Sequence, residues 1–184
     1  FAGISYWTFS DIFEELYMDK EPFHNGYGLL TVDLIPKPAF RMLEVLAKFP
    51  SVFFRNVAGS TWENVTSFSG IKNETESFVH IETICTQFVP GASRVLRHTR
   101  TNISIEYDYN IDHSLGKPAS SSTIRCELSV AAIDSQHTNP LETWKAMHSP
   151  SQLNHHSKEI LLNASHLGWE SVPCMPTLDN GTMH

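Results

Sequence analysis

The apolar residues change spacing at residue 50, and this restricts the folds open to the chain. Within "KPAFRMLEVLAKFP", Ala39, Met42, Leu43 and Leu46 form a stripe at helical spacing; Pro38 suits the first turn and Pro50 stops the helix. Residues 3–9 are β-branched and aromatic, which predicts a strand. Asp11 followed three positions later by Glu14 predicts a helix N-cap with a capping box. Between that helix and the Pro38 helix, "EPFHNGYGLLTVDLIP" reads as loop, short strand and turn, with Gly26 and Gly28 giving the backbone freedom.

Beyond Ser51 the texture is different. Segments near 51–57, 62–69, 76–86, 93–98, 102–109 and 122–133 are short, β-rich and separated by Gly, Pro, Asn or Ser. That pattern predicts an antiparallel sandwich or barrel. "TNPLETWKAMHSP" predicts a short helix or turn, and "SQLNHHSKEILLNAS" a moderate helix. The last residues, with Pro173, Pro176 and Gly181, read as a loose tail. The expected fold class is therefore mainly β, an antiparallel β-sandwich over 51–168 preceded by an α/β arm over 1–50 and followed by a tail over 169–184. One strand-helix unit cannot close an eight-stranded sheet, so the apolar stripe of the arm must dock on the sandwich or on another chain.

Composition excludes several functions. The net charge of −7 argues against nucleic acid, which needs clustered Lys and Arg. No apolar run approaches the roughly 20 residues that span a bilayer. Phe1 in place of an initiator Met predicts a mature or cut N-terminus. Five sequons, at Asn64, Asn73, Asn102, Asn163 and Asn180, exceed the about two expected by chance and predict a secreted or lysosomal glycoprotein. Cys85, Cys126 and Cys174 allow at most one internal disulfide and lack zinc-site spacing. His155 and His156 have no acidic or Cys partner at ligand spacing, so no metal and no cofactor is expected.

Three stretches carry a family likeness. "SYWTFSDIFEE", "PFHNGYGLLTVDLIPKPAF" and "IDSQHTNPLETWKAMHSP" resemble the C-terminal third of glycoside hydrolase family 39, which contains β-xylosidases and α-L-iduronidases. The first two match the last strand-helix unit of a TIM barrel, and the third a loop of the accessory sandwich. Two departures stand out: Leu34 replaces a customary Gly before I-P-K-P, and His148 sits where Gly usually precedes Ser-Pro.

The resemblance implies a retaining mechanism, with two carboxylates about 5–5.5 Å apart. It places the acid/base in an Asn-Glu-Pro motif and the nucleophile at the seventh barrel strand, both before Phe1. The sole Asn-Glu pair here is Asn73-Glu74, followed by Thr rather than Pro. A complete barrel takes roughly 250 residues. Glu14 and Glu15 cannot replace the missing pair, because adjacent helical residues point about 100° apart. The expected role is thus that of a glycosidase fragment without its catalytic glutamates. It would bind carbohydrate weakly alone and pair with the missing barrel portion or another chain.

By resemblance, Trp7 is the aromatic floor beneath the sugar ring, a ring that in an isolated chain is exposed or repacked. Asp11 and Glu15 are candidates for sugar hydroxyls, with His24 on the neighbouring loop. His137, with Asp134 and Asn139, is expected to order its loop by side-chain to backbone bonds. Trp62, Trp144 and Trp169 are expected in packing. The alternative is a non-catalytic secreted glycoprotein serving carbohydrate binding, structure or interaction.

Overall fold

The computed structural model describes residues 5–12, 20–24, 26–51, 53–55, 65–74, 79–87, 127–173, 178–179 and 182–183. The chain forms two compact units, residues 1–96 with 133–167 and residues 97–132 with 168–184.

The first unit contains α1 (Pro38–Lys48), β1 (Phe53–Arg55), β2 (Val65–Glu74), β3 (Val79–Gln87), α2 (Pro140–Ala146) and α3 (His155–Ala164). Helix α1 begins at the proline expected to start it, and the Phe49 amide closes its last turn on the Leu46 carbonyl. Its stripe is half-buried at Met42, Leu43 and Leu46 and exposed at Ala39. Strands β1, β2 and β3 form an antiparallel sheet in that order. Strand β2 runs past its expected end through Gly70 and takes a bulge between Ile71 and Asn73. Inside the sheet, Ser69 Oγ and Thr83 Oγ1 share a 2.7 Å hydrogen bond. The Phe49 ring meets Phe68 edge-on at 5.1 Å, joining the end of α1 to β2.

The core draws on residues from both sides of residue 50. Ile35 and Leu161 are fully buried beside Trp144, with Phe23, Leu141, Met147 and Leu153 packed around them. The N-terminal arm thus shares its core with α2 and α3, which the sequence reading placed in the sandwich. Polar links reinforce the junction. Arg41 Nε donates to the Ser165 carbonyl at 2.8 Å, and Lys158 Nζ lies 2.6 Å from Asp33. Arg41 also satisfies the end of α3, where carbonyls lack helical partners.

In the second unit, β4 (Leu128–Val130) pairs antiparallel with β5 (Glu170–Val172), and β6 (Leu178–Asp179) with β7 (Thr182–Met183). β4 lies in the segment expected as β at 122–133, whereas β5, β6 and β7 lie where a loose tail was expected. Three-residue strands carry too few residues to show a period in sequence. The observed architecture is small antiparallel sheets with three helices among the described residues. The segments expected as strands at 93–98 and 102–109 lie outside them.

Leu34 and His148, where the resemblance implies glycine, both occupy left-handed backbone. Leu34 has φ 62° and His148 φ 65°, where an L side chain is strained. Leu34 closes the 31–35 turn: its amide donates to the Thr31 carbonyl, the Thr31 amide donates to the Ile35 carbonyl, and the Ile35 amide donates to Thr31 Oγ1. His148 stands at the position after the α2 cap, where its amide donates to Lys145 and the Ser149 amide to Trp144. That is a Schellman closure with His in the place that favours Gly. Leu34→Gly and His148→Gly should each stabilise. Relief of about 1–2 kcal/mol of left-handed strain exceeds the roughly 0.5–1 kcal/mol entropic cost of glycine. Thermal melts should rise by about 1–4 °C for each.

Candidate functional site

The site is built where residues 8–11 run beside 28–30. The Leu29 amide donates to the Thr8 carbonyl, Leu30 to Phe9, and Asp11 to Leu30, with a parallel bridge at Ser10 and Leu30. Of the strand expected over residues 3–9, the described residues 5–9 contribute only to this short pairing. The Trp7–Thr8 peptide bond is cis. Trp7 is 71% exposed, so it does not support this chain by burial as a core tryptophan would. Phe9 and Tyr27 are also exposed.

Asp11 is placed differently from an open sugar-binding carboxylate. Its side chain is wholly buried. Oδ1 accepts from the Gly28 amide at 2.8 Å and from Lys37 Nζ at 2.7 Å, while Oδ2 lies 2.6 Å from the same ammonium. Lys37 Nζ donates further to the Gly26 carbonyl at 2.9 Å. Burying a carboxylate is costly unless a charge and hydrogen bonds compensate it, and Lys37 with Gly28 does so. The partners expected for Asp11 in a capping box, and Glu15, lie within 13–19, outside the described residues.

Gly26 and Gly28 serve close approach. A Cβ on Gly26 would lie 2.4 Å from Asp11 Oδ1, and one on Gly28 would lie 2.3 Å from the Asp11 nitrogen. His24 is half-buried, and its Nδ1 donates to the Glu21 carbonyl at 2.8 Å. That bond leaves Nε2 on the side of Gly26, where an added Cβ would lie 2.9 Å from it. Trp7, Asp11 and His24 therefore belong to one segment pair. Lys37 and Tyr27 join them, and the sequence reading missed both. The available signal was a lysine at a helix N-terminus, where Ser or Asp is favoured.

The loop around His137 has the expected construction. Asp134 Oδ1 accepts from the Gln136 and His137 amides, and His137 Nδ1 lies 2.9 Å from both Asp134 oxygens. Asn139 caps α2 through the Leu141 amide and reaches back to Ser135. Partial burial pushes the Asp134 carboxyl up. The His137 side-chain bond, the two amides and the His137 charge outweigh it and hold the group below its usual range. A lowered folded pKa means that this contribution is present above the unfolded value of about 3.9 and is lost as pH falls through the folded value. The Gln136 and His137 amide resonances should therefore titrate below pH 3.9, and His137→Ala should raise that midpoint, as NMR would show.

Of the other candidates, Trp144 is in the core and donates from Nε1 to the Pro150 carbonyl, whereas Trp169 is exposed. His155 lies 3.7 Å from Glu159 on an exposed face, and no metal-binding cluster occurs among the described residues. Cys85 is a free thiol whose pKa burial pushes up; Cys126 and Cys174 lie outside the described residues. Asn163 is exposed on α3, but Ser165 of its sequon is buried and its hydroxyl donates to Leu162. Asn73 lies on β2; Asn64, Asn102, Asn180 and Trp62 fall outside the described residues. No described helix is long and apolar enough to cross a membrane.

A buried ion pair fastening a glycine loop beside an exposed tryptophan is the kind of edge on which a carbohydrate enzyme can be built. The family model for glycosyl hydrolases family 39 matches residues 1–174, and the chain belongs to that family. It is 32% identical to a β-xylosidase of Caldicellulosiruptor saccharolyticus over 170 residues, covering 91% of this chain and 30% of that protein. Over 38 residues it is 58% identical to a β-xylosidase of Geobacillus stearothermophilus, covering 21% of this chain and 8% of that one. A solved monomeric β-xylosidase of Caulobacter crescentus CB15 aligns with TM-score 0.48 and 17% identity, over 92% of this chain and 33% of that chain. The chain spans about 30% of the length of the Caldicellulosiruptor relative.

Proposed function

We propose that this chain is the C-terminal portion of a secreted or lysosomal family-39 glycosidase acting on O-glycosyl bonds of β-xyloside or α-L-iduronide type. The observation that carries this reading is the family match along residues 1–174. The chain supplies one aromatic edge of the sugar site, with Trp7 as floor and with His24 and Glu15 as further sugar-binding residues. Asp11 acts behind that edge, because its carboxylate is buried on Lys37. The antiparallel sheets belong to the accessory sandwich that supports the barrel. The exposed Phe9 ring supports a partner, either the remaining barrel or another chain. The five sequons support passage through the secretory pathway. Retaining hydrolysis by two carboxylates requires neither metal nor cofactor.

The isolated chain is inactive in this reading, since it contains no Asn-Glu-Pro motif. Aryl β-xyloside and aryl α-iduronide turnover between about pH 4 and 7 should match the uncatalysed rate. Turnover that survives purification and is abolished by Glu14→Gln or Glu15→Gln would overturn it. A purified longer form carrying the Asn-Glu-Pro motif should hydrolyse one of the two substrates.

A further inference from the structure

Lys37 is a poor choice for its place in α1. It occupies the N-cap without a side-chain capping bond, and its cation sits at the positive end of the helix. Its ammonium is committed elsewhere, to both Asp11 oxygens and to the Gly26 carbonyl. Its backbone amide also holds Leu29. A residue that breaks the local rule at a helix start is retained for what it does at a distance.

Tyr27 lies between the two points that this pair secures. The Gly26 carbonyl before it accepts from Lys37, and the Gly28 amide after it donates to Asp11. Neither flanking position has room for a side chain. Tyr27 is nevertheless 79% exposed. A large ring held out into solvent on a backbone pinned at both sides has the properties of a recognition element. It offers apolar area and a polar tip with little conformational entropy to lose.

We propose that Tyr27 is a carbohydrate-contacting ring, stacking on the apolar face of a pyranose, and that Lys37 is the positioning residue that presents it through Asp11 and Gly26. This inference rests on the glycosidase reading above and adds a second aromatic ring to the edge that carries Trp7.

The test is titration of the whole 184-residue chain with methyl β-xyloside and with iduronate, followed by amide and indole resonances. The amides of residues 26–28 should shift. Tyr27→Ala should weaken binding by about tenfold while melting like the parent. Lys37→Met should weaken it comparably and speed Gly28 amide exchange by about tenfold. Lys37→Arg, which keeps the charge with altered geometry, should fall between. Arg41→Met is the control for stability alone: it removes the link to Ser165 and should leave sugar affinity and Gly28 exchange unchanged. Tyr27→Ala binding like the parent, or Arg41→Met losing as much as Lys37→Met, would overturn the inference. Shifts confined to Trp7 would sink it while leaving the glycosidase reading intact. No shift anywhere in the parent chain would also overturn the inference, while the glycosidase reading would stand on the family match along residues 1–174.

Discussion

Gly28→Ala should cost the protein the closure of its N-terminal arm. The added Cβ would sit 2.3 Å from both the Asp11 nitrogen and the Ser10 carbonyl carbon, and 2.7 Å from Asp11 Oδ1. These are mainly backbone atoms of the paired segment, so no flexible side chain can move aside. Separating the segments also lengthens the Gly28-to-Asp11 bond and uncovers a buried carboxylate. The expected loss is about 3 kcal/mol or more, a fall of roughly 6–12 °C in melting temperature. Gly26→Ala should be milder, because its obstacles are side-chain atoms of Asp11 and His24. Melting within about 1 °C of the parent for Gly28→Ala would contradict the close approach at this pairing.

The other large effect belongs to Trp144→Ala. This ring is 8% exposed, shares a core cluster with Ile35 and Leu161, and meets Phe23 at 5.4 Å. Truncation should cost about 3–5 kcal/mol through lost burial and the remaining cavity. It also removes the bond from Nε1 to the Pro150 carbonyl, which helps close the chain after α2. Urea unfolding should report a lower midpoint. Trp169→Ala and Trp7→Ala, at rings 64% and 71% exposed, should stay within about 0.5 kcal/mol of the parent. A Trp7→Ala loss as large as that of Trp144→Ala would mean that Trp7 is a packing residue.

What could be read from sequence was local. Pro38 at the start of α1 and the loop that Asp134, His137 and Asn139 order act over a few residues. Their chemistry is therefore written in adjacent letters. The core was not legible, because Ile35 finds Trp144 and Leu161 across the whole sheet region. The site was partly legible. Its tryptophan, aspartate and histidine lie in recognisable words, but Asp11 receives its role from Lys37. Pairing across 26 positions leaves no periodic trace, and only the odd lysine at a helix start hinted at it.

The sharing of one core by residues 23–35 and 141–161 also bears on how the chain is made. Ile35 leaves the ribosome long before Leu161 exists. At roughly 5–20 residues per second, the first half of that core waits on the order of ten seconds for the second. Throughout that interval Phe23 and Ile35 have no Trp144 to cover them. The apolar side chains of the arm are then open to a chaperone. A translational pause before α3 has left the ribosome would prolong that interval, whereas a later one would not.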